Sequence, residues 1–215
     1  MQTTERAHGV ILRTRPFTET SLIVNWLTPD LGRISTIAKG ARRAKSPFRG
    51  KLDLFYEGDF SFQRSRRSEL HTLREVVLRE TNPALRQELA YLQQASYGAT
   101  LIEQTTETQT PLPEIYELFR GFIHALSKQP PKPRTVFAFE LKLLQILGLA
   151  PDVEETKLSA EARSLVTALT KTDWVGLPEL RATAAQAESI QQFLHGFLIY
   201  HLGRIPKGRA NVIGL

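Results

Sequence analysis

The 215-residue sequence contains no cysteine, and this absence excludes several kinds of site. Without a thiol the chain has no disulfide, no thiolate nucleophile and no cysteine-ligated zinc. Histidine is scarce, and the spacing of the five histidines does not match a metal-binding motif. They are His8, His71, His124, His195 and His201. We therefore expect no metal site, no cofactor and no zinc finger.

Long apolar runs and the common catalytic motifs are also missing. No segment is apolar over the length needed to cross a bilayer, and the N-terminus lacks the basic start and apolar block of a signal peptide. We expect a cytoplasmic protein with no membrane partner. The sequence has no glycine-rich phosphate loop, no G-x-S-x-G nucleophile motif and no paired-carboxylate signature. We therefore expect a protein that is not an enzyme.

Positive charge is present in excess, but only in one part of the chain. The net charge of the whole sequence is +6. Residues 1–80 hold 15 Lys and Arg against nine Asp and Glu, whereas residues 81–215 hold 13 of each class. The excess charge therefore lies in the first 80 residues, which suggests a polyanionic partner for that region.

The first 80 residues have the composition and alternation of short β-strands. The turn sequence PDLG (29–32) follows one such run and precedes the next, which predicts a hairpin. The last run has a mixed period, so a helix is an alternative there. Five short strands in this length predict a five-stranded OB-fold barrel over residues 1–80. The expected strands are 10–15, 21–28, 33–39, 54–62 and 70–80.

After Asn82-Pro83 the apolar period becomes that of amphipathic helices, so residues 81–215 are expected to form an all-α domain. The fold class is thus α+β. Thr110 and Ser159 are the expected N-caps of the second and fourth helices. The third helix is apolar nearly all round and should be buried. The expected helices are 84–104, 111–126, 135–148, 158–171 and 184–203.

The segment 33–51 contains seven basic residues and no acidic one. Most of it is rich in Gly, Ala, Ser and Pro, which predicts a flexible loop whose charges can follow a phosphate backbone. Phe48 lies inside this loop and could stack on a base. The sequence RSRR (64–67), in the next turn, could extend the same surface. The candidate DNA-binding residues are Arg33, Lys39, Arg42, Arg43, Lys45, Phe48, Arg49, Lys51, Arg64, Arg66 and Arg67.

Several segments resemble the RecO family of bacterial DNA-repair and recombination mediators. The most specific are TPDLGR (28–33) and AKGARR (38–43), within a longer match over 9–52. FELKLLQILGLAP (139–151) and HLGRIPKGR (201–209) resemble the family more weakly. The resemblance implies an OB-fold followed by a helical domain. It also implies binding to single- and double-stranded DNA, strand annealing, cooperation with RecR and single-stranded-DNA-binding protein (SSB) to load RecA, and a place in the bacterial cytoplasm at the nucleoid.

The sequence departs from the family at one point and matches it loosely at another. Many members carry a cysteine-ligated zinc after the position of Pro151, but VEETKLSAEARS (153–164) follows here without a cysteine. The resemblance also implies a docking groove for the acidic, phenylalanine-ended tail of SSB in the helical domain. Arg134 and Lys142, which flank an apolar helix, are the candidates for that groove.

Two other functions remain compatible with the residues. OB barrels bind RNA as well as DNA, so the chain could be an RNA- or ribosome-associated protein. Alternatively, the helical part could be an adaptor for which the barrel is only a scaffold. The adaptor hypothesis predicts no salt-dependent binding to polyanions. The RNA-binding hypothesis would be tested by competition between DNA and RNA of one sequence.

Overall fold

A computed structural model describes residues 4–214 and shows five strands in a closed barrel. The strand order is β1-β2-β3-β5-β4, and β1 pairs antiparallel with both β2 and β4 to close it. The predicted OB-fold is confirmed, and the helix alternative for 70–80 is wrong. The strands are β1 Thr4–Pro16, β2 Leu22–Thr28, β3 Gly32–Ala38, β4 Glu57–Gln63 and β5 Leu70–Glu80.

The barrel core is built from the inward-facing positions of these strands. On β3 every second residue is buried, including Ile34 and Thr36, as the period of two predicts. Trp26 stacks on Phe60 with ring centroids 4.1 Å apart, and its indole Nε1 donates to the Thr36 hydroxyl at 2.9 Å. The one polar atom of the largest core side chain is therefore satisfied inside the barrel.

Within residues 4–214, six α-helices follow the barrel in sequence. Ser159 caps α4 as predicted, since its hydroxyl accepts from the Ala162 N–H at 3.3 Å. Thr110 does not cap α2, which begins at Pro113, because the chain before the helix turns at Gln109, whose φ of 56° is left-handed. The helix α6 was not predicted. The helices are α1 Leu89–Thr105, α2 Pro113–Leu126, α3 Pro133–Ile146, α4 Ala160–Lys171, α5 Ala184–Leu202 and α6 Arg209–Ile213.

The helix α3 is buried on nearly all sides, as its sequence predicts. Its Glu140 is fully buried and forms a bidentate ion pair with Arg209 of α6, with distances of 2.7 and 3.0 Å. The Tyr97 hydroxyl of α1 donates to the same carboxylate. Burial raises the pKa of Tyr97 well above its usual value, and the neighbouring Glu140 charge adds to the shift. This buried polar cluster joins α1, α3 and α6.

The chain forms two compact units that are not each continuous in sequence. The first extends to Pro83 and also includes Thr106–Glu117; the second consists of Ala84–Thr105 and the chain from Leu118 onward. A segment that lies between α1 and the middle of α2 therefore groups with the barrel. Within residues 4–214, no helix is long and apolar enough to cross a membrane.

Candidate nucleic-acid interface

The basic loop, residues 39–51, is a succession of hydrogen-bonded turns between β3 and β4. Arg43 N–H donates to Gly40 at 3.1 Å, Ser46 N–H to Arg43 at 3.0 Å, and Arg49 N–H to Ser46 at 3.2 Å. Gly40 has a φ of 70°, in the left-handed region that a residue with a Cβ rarely adopts. The composition that predicted a loop thus also supplies the turn residues that shape it.

Phe48 fixes this loop to the barrel. Its side chain is only 6% exposed and packs in the core cluster that contains Val24, Trp26 and Phe60. A ring buried among barrel side chains cannot present a face to a base. The structure therefore corrects the prediction that Phe48 stacks on nucleic acid: the residue is the apolar anchor of the loop.

The charged side chains of the loop remain on the surface. Three arginines line an open depression of about 350 Å³ whose walls include Phe48 and Leu52 and contain no acidic residue. Lys51 differs from the others, because its Nζ donates to the Val76 carbonyl at 3.2 Å and the side chain is half-buried. The exposed cations of the loop are Lys39, Arg42, Arg43, Lys45 and Arg49.

The turn between β1 and β2, residues 17–21, adjoins the basic loop. Arg42 donates its backbone N–H to the Thr20 carbonyl at 2.9 Å and its Nη1 to the Thr18 carbonyl at 3.3 Å. Phe17, in the same turn, is 52% exposed. Sequence reasoning did not single out Phe17, although its place between two strands, after Pro16, is a signal of a turn. It is the better candidate for stacking on a base.

Two arginines of β1 were also missed. Arg13 pairs with Asn25 of β2, and Arg15 pairs with Ile23; both side chains are exposed. They place two further exposed positive charges on β1, the strand that leads into this turn. OB-folds bind oligonucleotides over the face of strands two and three, flanked by the loop between strands one and two and the loop between strands four and five. Arg13 and Arg15 lie outside the clusters of basic residues at 33–51 and 64–67. The sequence analysis, which relied on such clusters, therefore did not identify them.

Arg33 and the RSRR arginines lie away from the basic loop. Arg33 is the second residue of β3, whereas the loop leaves its last residue, and strand geometry puts roughly 20 Å between the two ends. Arg64 forms a bidentate ion pair with Glu5 at 2.6 and 2.8 Å, and hydrogen bonding to Arg64 lowers the pKa of Glu5. The predicted surface is thus divided between two ends of β3, with Arg66 and Arg67 exposed at the end near Arg64.

Arg134 and Lys142 do not form one site. The Nζ of Lys142 donates to the Thr170 and Thr172 carbonyls, both at 2.7 Å, and desolvation lowers its pKa. Lys142 therefore stabilises the C-terminal end of α4, which corrects its candidacy for docking. Arg134 donates to the Leu180 carbonyl at 3.1 Å and lines an apolar cavity of about 180 Å³ with Lys132 and Phe137.

The segment after Pro151 does not fit the zinc site that many family members carry. Asp152 accepts from the Glu154 N–H at 3.0 Å and begins a short 3₁₀ turn, Val153–Glu155. Among residues 4–214 no three His, Cys, Asp or Glu side chains are grouped to hold a metal ion. Hydrogen-bonded caps organise this segment in place of metal ligands.

Comparison with known proteins agrees with the barrel and the helices that follow it. The family models Recombination protein O N terminal and Recombination protein O C terminal match residues 1–82 and 86–156 in succession. The chain belongs to the RecO family. The boundary between the two RecO models falls where β5 has ended and α1 has yet to begin, and α4, α5 and α6 lie beyond the matched region.

Curated relatives carry the same family name. The DNA repair protein RecO of Rhodopirellula baltica is 34% identical over 143 residues, which are 66% of this chain and 53% of the relative. The corresponding protein of Listeria monocytogenes serotype 4b is 28% identical over 157 residues, 73% of this chain and 61% of the relative. The RecO protein of an Anaeromyxobacter species is 32% identical over 146 residues, which are 68% of this chain and 58% of the relative. The chain spans between about half and three-fifths of the length of these RecO proteins.

Proposed function

We propose that this RecO-family chain acts in DNA repair by binding single- and double-stranded DNA without catalysing a reaction. The observation that carries the proposal is the acid-free depression lined by Arg42, Arg43 and Arg49. Exposed guanidinium groups around a concave surface bind phosphates and release condensed counterions. Phe17, beside them, would add sequence-tolerant stacking on an unpaired base.

Beyond DNA binding, the proposed function includes two more specific activities, strand annealing and RecA loading. A basic surface neutralises the phosphates of two complementary strands and so lowers the repulsion between them. We propose that the chain anneals SSB-coated strands and, with RecR, helps load RecA. The RecO family relationship supports this part, and the relatives' name, DNA repair protein, supports the repair role to which it belongs.

The cavity beside Arg134 is the proposed docking site for the acidic, phenylalanine-ended tail of SSB. Its apolar lining, which includes Leu169 and Ile190, suits an aromatic ring. Lys132 and Arg134 at its edge suit carboxylates. Lys142 is left out of this site because its ammonium group is committed to the end of α4.

Neutralising the basic loop tests DNA binding. Replacing Arg42, Arg43, Lys45 and Arg49 by alanine should weaken binding to an oligo-dT strand sharply. It should also make the logarithmic salt slope shallower by about 0.7 for each lost single-strand phosphate contact. The melting temperature should stay nearly unchanged, because exposed charges contribute within about 0.5 kcal/mol.

The matched control replaces four exposed cations of the second unit, Lys128, Lys157, Lys171 and Arg181, by alanine, which removes the same amount of positive charge outside the barrel. We expect the control to retain most of the affinity. Equal weakening by the control would show a general charge effect, and normal binding by the quadruple variant would move the site away from the loop. Stronger binding to an RNA strand of the same sequence would favour the alternative function as an RNA-binding protein.

A further inference from the structure

The segment that follows α1, residues 106–110, lies along the first residues of β3, and we call it the strap. Thr108 forms a parallel bridge with Arg33, and the Gln109 N–H donates to the Arg33 carbonyl at 2.9 Å. Thr110 packs so closely on Gly32 that a Cβ added there would lie 2.1 Å from the Thr110 carbonyl oxygen. The strap therefore needs a glycine at the start of β3.

The strap fills a position that the barrel strands leave open. β5 pairs with β3 only at Ser35, Thr36 and Ile37, so the start of β3 has no partner in β5. The loop between β4 and β5, residues 64–69, ends beside this gap. In OB-folds that loop is one of the two that flank the bound oligonucleotide. The strap thus occupies part of the path that nucleic acid takes across such a barrel.

Two candidate DNA-binding arginines are held at this place. Arg33 donates its Nε to the Thr106 hydroxyl at 2.8 Å and its Nη2 to the Thr106 carbonyl. Arg64 donates its Nη1 to the Gln109 amide oxygen at 3.1 Å, besides its ion pair with Glu5. The strap thus offers each guanidinium an oxygen acceptor, as a phosphodiester would.

We propose that Arg33 and Arg64 form a second phosphate-contact site, which the strap occupies in the free protein and a nucleic-acid backbone occupies after displacing it. The inference rests on the proposed DNA-binding function. It adds that the strap and the nucleic-acid backbone compete for Arg33 and Arg64. The strap contacts must open before the two arginines reach phosphate. The apparent affinity is therefore lower than the intrinsic affinity by the fraction of molecules whose strap is open.

Weakening the strap while keeping both arginines tests this competition. In the variant Thr106→Ala with Gln109→Ala, the strap loses the two side-chain acceptors that it offers to Arg33 and Arg64, while Arg33 keeps the Thr106 carbonyl and Arg64 keeps Glu5. Loss of two hydrogen bonds to charged donors should raise the open fraction, and affinity for an oligo-dT strand should increase by about tenfold. The matched control, Thr100→Ala with Gln192→Ala, alters one Thr and one Gln outside the strap and should bind like the unaltered chain.

Hydrogen exchange provides a second readout on the unaltered chain. The Gln109 amide is bonded to Arg33, so a peptide covering 106–110 should exchange slowly in the free protein and faster with saturating oligo-dT. A peptide from β5 should not change. Unchanged or slower exchange of the strap with DNA, or a strap variant that binds no more tightly, would overturn the inference. A chain that binds no DNA at all would instead overturn the proposed function.

Discussion

Separate alanine substitutions of Phe48 and Phe17 distinguish barrel packing from base stacking. Phe48 is 6% exposed within the barrel core, and truncating a buried Phe costs about 3–5 kcal/mol of unfolding free energy. For a chain of this size each kcal/mol lowers the melting temperature by roughly 2–4 °C, so Phe48→Ala should melt about 6–20 °C lower. Phe17 is 52% exposed, and its truncation should change stability by no more than about 0.5 kcal/mol.

The DNA affinities should change in the opposite order. Stacking of one base on an aromatic ring contributes about 1–3 kcal/mol, so Phe17→Ala should weaken binding to oligo-dT by roughly 5- to 150-fold. Phe48→Ala, assayed well below its melting temperature, should retain most of its affinity. Fluorescence anisotropy at one fixed salt concentration and thermal unfolding followed by circular dichroism measure both quantities. Normal binding by Phe17→Ala together with lost binding by a folded Phe48→Ala would refute the assignment.

Three further predictions concern two buried side chains and the effect of metal removal. Arg209→Ala leaves the Glu140 carboxylate buried without its charged partner and should destabilise the chain by about 3–5 kcal/mol in denaturant titrations, whereas the exposed Arg204→Ala should not. His71 is buried; its Nδ1 accepts from the Ser65 N–H at 3.3 Å, and desolvation lowers its pKa below the usual 6.5. The folded state therefore binds this proton less readily than the unfolded chain, so stability should fall as the pH drops below about 6.5. Unfolding measured from pH 7 to pH 5 should show a flatter profile for His71→Gln, and an unchanged profile would assign the pH dependence to other groups. Treatment with a strong chelator should leave the melting curve unaltered, since residues 4–214 group no metal ligands; a loss of stability that zinc restores would contradict this.

The elements with strong local patterns could be predicted from the sequence. Alternation on β3 and the 3.6-residue period of α2 and α5 each arise from one buried face, and that pattern is visible without any partner. The cap at Ser159 is equally local, since its partner lies three residues away. The composition of residues 33–51 located the basic loop for the same reason.

Features that depend on distant contacts could not be predicted. Arg33 meets Thr106, which is 73 residues away in sequence, and nothing in either segment indicates the other. Phe48 and Phe17 both sit between strands, and only the folded barrel shows that the first points into the core and the second to solvent. The helix α6 has five residues, too few for a period, and it is held by an arginine whose partner lies in α3.

The place of the strap in the barrel has a consequence for the order in which the chain is made. All five strands have been synthesised by residue 80, but Thr106–Glu117 belong to the same unit. During translation, more than thirty further residues, including the whole of α1, must therefore be synthesised before the first unit is complete. At about 5–20 residues per second this delay lasts on the order of seconds. A nascent barrel would spend that interval with the start of β3 uncovered and Arg33 without Thr106.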